Sequence, residues 1–309
     1  MSDPALDSAD TPRVSFSPTY PFDNAPAETI LRSSDGAEFY VHHAILSLVS
    51  PVFKTIFQLP QPETSPAIPV IDVDEDGALL DRMVRLFYPA TQLATTTMDE
   101  LRDTIQVALM KYDMHVVAPS IKQQVREWVS SDPLAVYALA VQHHWNDLAV
   151  AAAKETLKHP IRIPTADTPS ALRHLSAAAH HKLLHYHYQC AISAQTSVTT
   201  IGDLRWVPNE FVWFNCTKCS SHNSIWYLAD GISHRVQKWF TDFLAHLGEV
   251  LLVTPVTNIL ESKCMYDTLK TASECSICRT LVFDQLKDFV VLHSMPKLAM
   301  LIDAVELQF

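Results

Sequence analysis

The chain has 309 residues, a formal net charge of −11, 48% hydrophobic residues and 18% charged residues. That composition is globular, with room for about two domains at roughly 150 residues each and for a sizeable core. The acidic balance, with no cluster of Lys and Arg, argues against a phosphate-binding surface, so nucleic acid is not an expected partner. The five glycines, at positions 36, 77, 202, 231 and 248, cannot build a Gly-rich phosphate loop, which excludes P-loop NTPases, Rossmann dehydrogenases and protein kinases.

Residues 1–26 carry Pro4, Pro12, Pro18, Pro21 and Pro26 among Ser, Asp and Thr and read as a mobile tail. Met1 to Asp10 has neither the basic nor the apolar stretch of a leader, and apolar runs such as Val250–Val253 are far too short to span a bilayer. A location in the cytoplasm or nucleus, away from membranes, is the expectation. Order is expected from near Glu28. Thr29–Arg32 reads as a strand, Asp35-Gly36 as a two-residue hairpin turn, and Glu38–His42 as the returning strand with Phe39 and Val41 on one face.

Ile45, Leu48, Val49, Val52, Phe53, Ile56 and Phe57 then repeat at helical spacing, but Pro51 interrupts them. Ser50-Pro51 fits an N-cap followed by proline at the first helical position, so two short helices sharing one buried face are expected. Ile68–Val73 reads as a strand that Pro69 confines to an edge or a strand start. Asp74-Glu75-Asp76 supplies negative charge at the start of a helix burying Leu79, Leu80, Met83, Val84 and Phe87. Thr97 and Glu100 form a capping box for a helix carrying Leu101, Ile105, Ala108, Leu109 and Tyr112. Another helix carries Ile121, Val125, Trp128 and Val129.

From Asp132 the pattern is helical with short links. Asp132-Pro133 and Thr168-Pro169 are cap-plus-proline starts, Asn146 is placed as the cap of an Ala-rich helix, and a longer helix is expected over about 177–194. Beyond Ser197 come four of the six tryptophans and two C-x-x-C pairs. Between the pairs, Val236, Trp239, Phe240, Phe243, Leu244 and Leu247 read as one amphipathic helix.

The order strand, Asp-Gly turn, strand, helix, Ser-Pro helix, strand, helix carries a resemblance. Leu31-Arg32-Ser33-Ser34-Asp35-Gly36-Ala37-Glu38-Phe39-Tyr40-Val41-His42-His43-Ala44-Ile45-Leu46, continuing through Ser47-Leu48-Val49-Ser50-Pro51-Val52-Phe53, resembles the opening of a BTB/POZ domain. Phe87-Tyr88-Pro89 and Ala108-Leu109-Met110-Lys111-Tyr112-Asp113-Met114 are similar to the same family, in the form common among fungal proteins. Ala27-Glu28 stands where relatives often carry Asp, and His43 where a basic residue is usual. In relatives those positions help tune dimerisation.

The resemblance implies an α+β fold: a BTB/POZ domain at 27–118, a small sheet with clustered helices, then a helical, BACK-like extension at 119–197. A small C-terminal helical unit at 198–309 completes the expected chain. It also implies a non-enzymatic protein-interaction role, with the protein's own second copy as a homodimer, or a cullin scaffold, as partner. A ubiquitin-ligase substrate adaptor would be built this way. The alternatives are a zinc- or thiol-dependent enzyme in the C-terminal half and a transcriptional co-regulator.

Cys216-Thr217-Lys218-Cys219 and Cys275-Ser276-Ile277-Cys278 can offer four thiolates to one tetrahedral metal, because a two-residue gap lets both sulfurs of a pair turn to one ion. Residues 220–274 intervene, 55 in all, against about 15–20 in a usual zinc ribbon. A shared structural zinc is the favoured reading, beside two separate reduced thiol pairs and a redox dithiol. His222 is an alternative ligand and Cys264 a weaker one. Six of the fifteen histidines fall between His159 and His187, with His181 and His185, or His187 and Cys190, one helical turn apart. Partly exposed or packed histidines explain that cluster better than a metal. Ser47 and Ser50 beside His42 and His43 are fold positions, and Asp72, Asp74, Glu75 and Asp76 are loop and helix-start charge, so no catalytic residue is assigned.

Overall fold

A computed structural model describes residues 16–23, 26–59, 68–88, 97–161, 170–200, 202–219 and 221–309, with backbone alone at 221–224. Two compact units are present, Met1–Trp128 and Val129–Phe309. No helix among the described residues is long and apolar enough to cross a membrane.

In the first unit, β1 (Thr29–Arg32) and β2 (Glu38–Val41) are antiparallel, and β3 (Val70–Asp72) runs parallel to β1, giving the order β2-β1-β3. The turn between β1 and β2 needs Gly36, whose φ of 85° is left-handed. Ser33 closes it by accepting from the Ala37 amide through its hydroxyl at 2.9 Å. Pro69 sits just ahead of edge strand β3, where its missing N–H costs no ladder bond and its carbonyl accepts from Ile30 at 3.0 Å.

Helices α1 (His43–Val49) and α2 (Pro51–Phe57) break at Ser50, whose hydroxyl accepts from the Phe53 amide at 3.1 Å and donates to the Tyr112 carbonyl at 2.6 Å. Glu28 accepts from the His43 amide at 3.1 Å and meets His42 Nδ1 at 3.2 Å, so it satisfies the first turn of α1 from outside the helix. His43 Nε2 in turn meets the Thr29 hydroxyl.

Helix α3 (Gly77–Arg85) is capped by Asp76, and α4 (Met98–Ile105) by the full Thr97–Glu100 box. The chain continues through a π-helical turn at Gln106–Lys111 and a 3-10 turn at His115–Val117 into α5 (Ala118–Glu127). Several features differ from the sequence reading. Leu48, read as part of the buried helical stripe, is exposed, and Phe87 lies beyond the end of α3 and is only half-buried. Glu75 is not solvated helix-start charge: it is buried and accepts from the Tyr112 hydroxyl at 2.6 Å and Lys111 Nζ at 2.7 Å. Residues 16–23, read as part of a tail, pack on the unit. Phe22 is fully buried beside Tyr88, and its carbonyl accepts from Tyr40, because an aromatic that finds an apolar wall offsets the entropy of ordering a short segment.

The second unit opens with α6 (Pro133–Gln142), capped by Asp132, and α7 (Asn146–Thr156). Asn146 is the first helical residue of α7, not its cap. Trp145 takes the cap position without a side-chain bond, because His144 at φ 56° turns the chain into the helix one residue early. Thr168-Pro169 lies outside the described residues. Helix α8 (Ala177–Thr199), capped by Ser176, runs five residues further than expected. Short helix α9 (Val212–Asn215) precedes a two-stranded antiparallel sheet, β4 (Ser221–Tyr227) and β5 (Ser233–Gln237). Then follow α10 (Lys238–Val253), α11 (Lys263–Ala272), α12 (Cys278–Asp288), a π-helical turn at Phe289–Ser294, and α13 (Met295–Asp303).

Val236 therefore belongs to β5, and the amphipathic helix begins at Lys238. Helices α8 and α10 pack closely where Gly248 faces Thr199, and a Cβ at that glycine would collide with the threonine methyl. Trp213, fully buried, stacks on Phe240 at 4.4 Å and Phe211 at 4.5 Å and meets Phe289 edge-on, which builds the aromatic centre of this unit.

Candidate metal centre

Local geometry delivers each sulfur. Cys216 ends α9, with its amide bonded to the Val212 carbonyl at 2.9 Å, and Cys219 lies two residues before β4. Cys275 follows α11, its amide bonded to Ala272 at 3.2 Å, and Cys278 is the first residue of α12. The long intervening segment is taken up by the β4–β5 hairpin and by α10, with α11 packed on α10 and returning the chain. Gln285 of α12 accepts from the Val212 amide at 2.7 Å, Gln237 donates to the Cys216 carbonyl at 2.7 Å, and Lys218 donates to the Ser276 hydroxyl at 3.2 Å. The two C-x-x-C turns are thus tied together by bonds that do not involve sulfur.

All four Sγ atoms lie within 4.8 Å of one another, with Cys216 to Cys275 at 3.7 Å and Cys219 to Cys278 at 3.4 Å. A tetrahedron with metal–sulfur bonds of about 2.3 Å has edges of about 3.8 Å, so the donor set fits one ion. None of the four is in a disulfide. The Cys278 amide, followed by that of Ile277, donates toward Cys275 and brings its thiol down to about 6. Burial pushes Cys219 up to about 11 and raises Cys278 as well. A crowded group of this kind cannot hold several thiolates without a cation among them, and four cysteines close together can bind a metal.

The other sequence candidates do not join this group. Cys264 is buried on α11, 3.6 Å from the Phe243 carbonyl, and burial pushes its thiol up to about 11. The His222 side chain lies outside what is described. His181 and His185 are exposed on α8, whereas His187 is buried with Nε2 3.3 Å from the His159 carbonyl, and burial raises the Cys190 thiol to about 11. The four cysteines are the one group of three or more metal-ligating side chains among the described residues. Ser50 serves as a helix cap and carbonyl donor, and Asp76 as a cap.

The first unit presents a second kind of site. Leu48 of α1, Met110 and Val116 are large apolar side chains left exposed, and α1 packs against the turn that carries Val116. The stretch that holds the β2-β1-β3 sheet and its clustered helices is matched by a family model. Residues 23–127 are a BTB/POZ domain. The match ends one residue before the first compact unit does. No curated protein matches the chain. A BTB/POZ domain supports a protein-interaction role in general. The BTB/POZ unit is followed by a mostly helical remainder in which the four cysteines lie.

Reading the sequence missed the β4–β5 hairpin and the burial of Glu75. Asp230-Gly231 was the available signal for the first. The second had none, because its partners Lys111 and Tyr112 are remote in the chain.

Proposed function

We propose that the chain is a non-enzymatic docking protein. Its BTB/POZ unit pairs with a second copy or engages a cullin scaffold, and its C-terminal unit captures a client, the arrangement of a ubiquitin-ligase substrate adaptor. The observation that carries this reading is the BTB/POZ match at 23–127 on a unit that leaves Leu48, Met110 and Val116 exposed. Exposed apolar side chains on neighbouring elements are what a self-association surface needs. The resemblance to the fungal form of the domain rests on Phe87–Pro89 and Ala108–Met114.

In the same reading Cys216, Cys219, Cys275 and Cys278 hold one structural Zn²⁺. Four protein ligands leave no coordination position for a substrate or water, which favours a structural role over a zinc enzyme. Light scattering on the full chain tests the first part: a dimer that Leu48→Glu converts to a monomer supports self-association. Mixing with a purified cullin N-terminal domain tests the scaffold. A monomer that binds no cullin overturns the proposal.

A further inference from the structure

We propose that the outer face of the β4–β5 hairpin is a docking surface for an acidic peptide segment of a partner protein, with carboxylates flanking an aromatic or aliphatic side chain. This deepens the docking reading above, and rests on it, by naming the chemistry of the client.

Alternation along β4 puts Trp226 inside, 3% exposed, and turns Ile225 and Tyr227 outward, 59% and 45% exposed. The register sets Ile225 opposite Arg235 and Tyr227 opposite Ser233, so these four share one face, while Ile232, 60% exposed, lies in the turn. Three large apolar side chains facing water on one hairpin exceed the scattered exposure expected of a surface.

The turn that carries the face is tied down by hydrogen bonds. Asp230 accepts from the Ile232 amide, from Asn209 Nδ2 and from His234 Nε2, each at 2.8 Å, which fixes the turn. Its other end begins two residues after Cys219 of the candidate metal centre. A surface already held in shape loses little entropy on binding. The outer edge of β4 is engaged, because the Tyr227 amide donates to Gly202 and its carbonyl accepts from Leu204, both at 2.9 Å. A partner therefore lies across the face instead of adding a strand there.

Charge selects the partner. Arg205 stands over the Tyr227 ring at 5.8 Å, with an exposed and loose contact to Asp203 at 3.8 Å. Arg235 is exposed and has no ion-pair partner among the described residues. Two guanidiniums beside an aromatic and an isoleucine match one or two carboxylates next to an apolar side chain, and Tyr and Arg are the residue types that dominate binding energy in interfaces. Nucleic acid is disfavoured, since it needs a track of several cations and the chain carries a net charge of −11.

The test uses the full zinc-loaded chain and a random twelve-residue peptide library displayed on phage. Enriched peptides should carry an excess of Asp and Glu around an aromatic or aliphatic residue. The best of them, labelled with fluorescein, should bind at least tenfold more weakly to Arg235→Glu and to Tyr227→Ser, with thermal melting of both variants unchanged, while Arg235→Lys retains part of the affinity. Enrichment of peptides without acidic excess, no enrichment at all, equal binding to Arg235→Glu, or preferential binding of a twelve-nucleotide single strand overturns the proposal. Light scattering on the same samples separates the two readings. A dimer that takes no acidic peptide defeats this inference alone, and a monomer that takes it through Arg235 defeats only the self-association of the BTB/POZ unit.

Discussion

The sulfurs of Cys219 and Cys278 lie 3.4 Å apart although 59 positions separate the residues, and they meet because Cys219 precedes β4 while Cys278 opens α12. A metal here would join the hairpin to the helical remainder of the second unit. The purified chain is expected to contain one tightly held Zn²⁺ and to show four thiols protected from a thiol reagent until a chelator is added. The double change Cys216→Ser with Cys278→Ser should lose the metal and make residues 198–309 sensitive to protease. Unaltered protease resistance in that variant would count against a structural metal.

Much of the first unit was legible because its turns and caps are local. Asp35-Gly36, Ser50-Pro51, Pro69 and the Thr97–Glu100 box each act within four residues, and the structure places a turn, a helix break, a strand start and a cap there. The same logic was available at Asp230-Gly231, preceded by the apolar run Ile225-Trp226-Tyr227-Leu228, yet the neighbouring run from Val236 to Leu247 imposed a helical period on the return strand. The four cysteines were legible as two pairs. Their convergence was not, since it depends on α10 and α11 returning the chain. Glu75 lay beyond local reasoning altogether, because its burial is set by residues 36 and 37 positions away.

Ser50 is a point of leverage in the BTB/POZ unit. Its one hydroxyl caps α2 and satisfies the Tyr112 carbonyl at 2.6 Å, in a fully buried position. Ser50→Ala should cost about 1 kcal/mol for the lost cap, and leaving the carbonyl unpaired adds about 1–3 kcal/mol. Urea unfolding that shows a change below about 0.5 kcal/mol, the range of ordinary surface substitutions, would contradict the double role.

Glu75 joins β3 and α3 to the π-helical segment through Lys111 and Tyr112. Burial, together with the Glu75 carboxylate beside it, holds the Tyr112 phenol well above its usual range. Glu75→Ala would leave that buried hydroxyl without its acceptor, at a cost of about 1–3 kcal/mol. Combining Glu75→Ala with Tyr112→Phe should cost clearly less than the sum of the single changes, because the second removes the orphaned group. Strict additivity in the double-mutant cycle would show that the pair is not coupled.

His187 gives the second unit a pH dependence with a definite sign. Its ring is buried on α8, and burial holds its pKa below the ordinary histidine value. The unfolded chain therefore takes up the proton first as pH falls through about 6.5, and the folded chain resists it, so stability is full above that pH and declines below it. The decline stops once pH passes the folded-state value. His187→Gln keeps a donor for the His159 carbonyl and removes the titration. Melting temperatures of the wild-type chain should fall between about pH 6.5 and 5, ahead of the carboxylate range, and those of His187→Gln should fall less. Parallel profiles for the two proteins would assign the acid sensitivity to other groups.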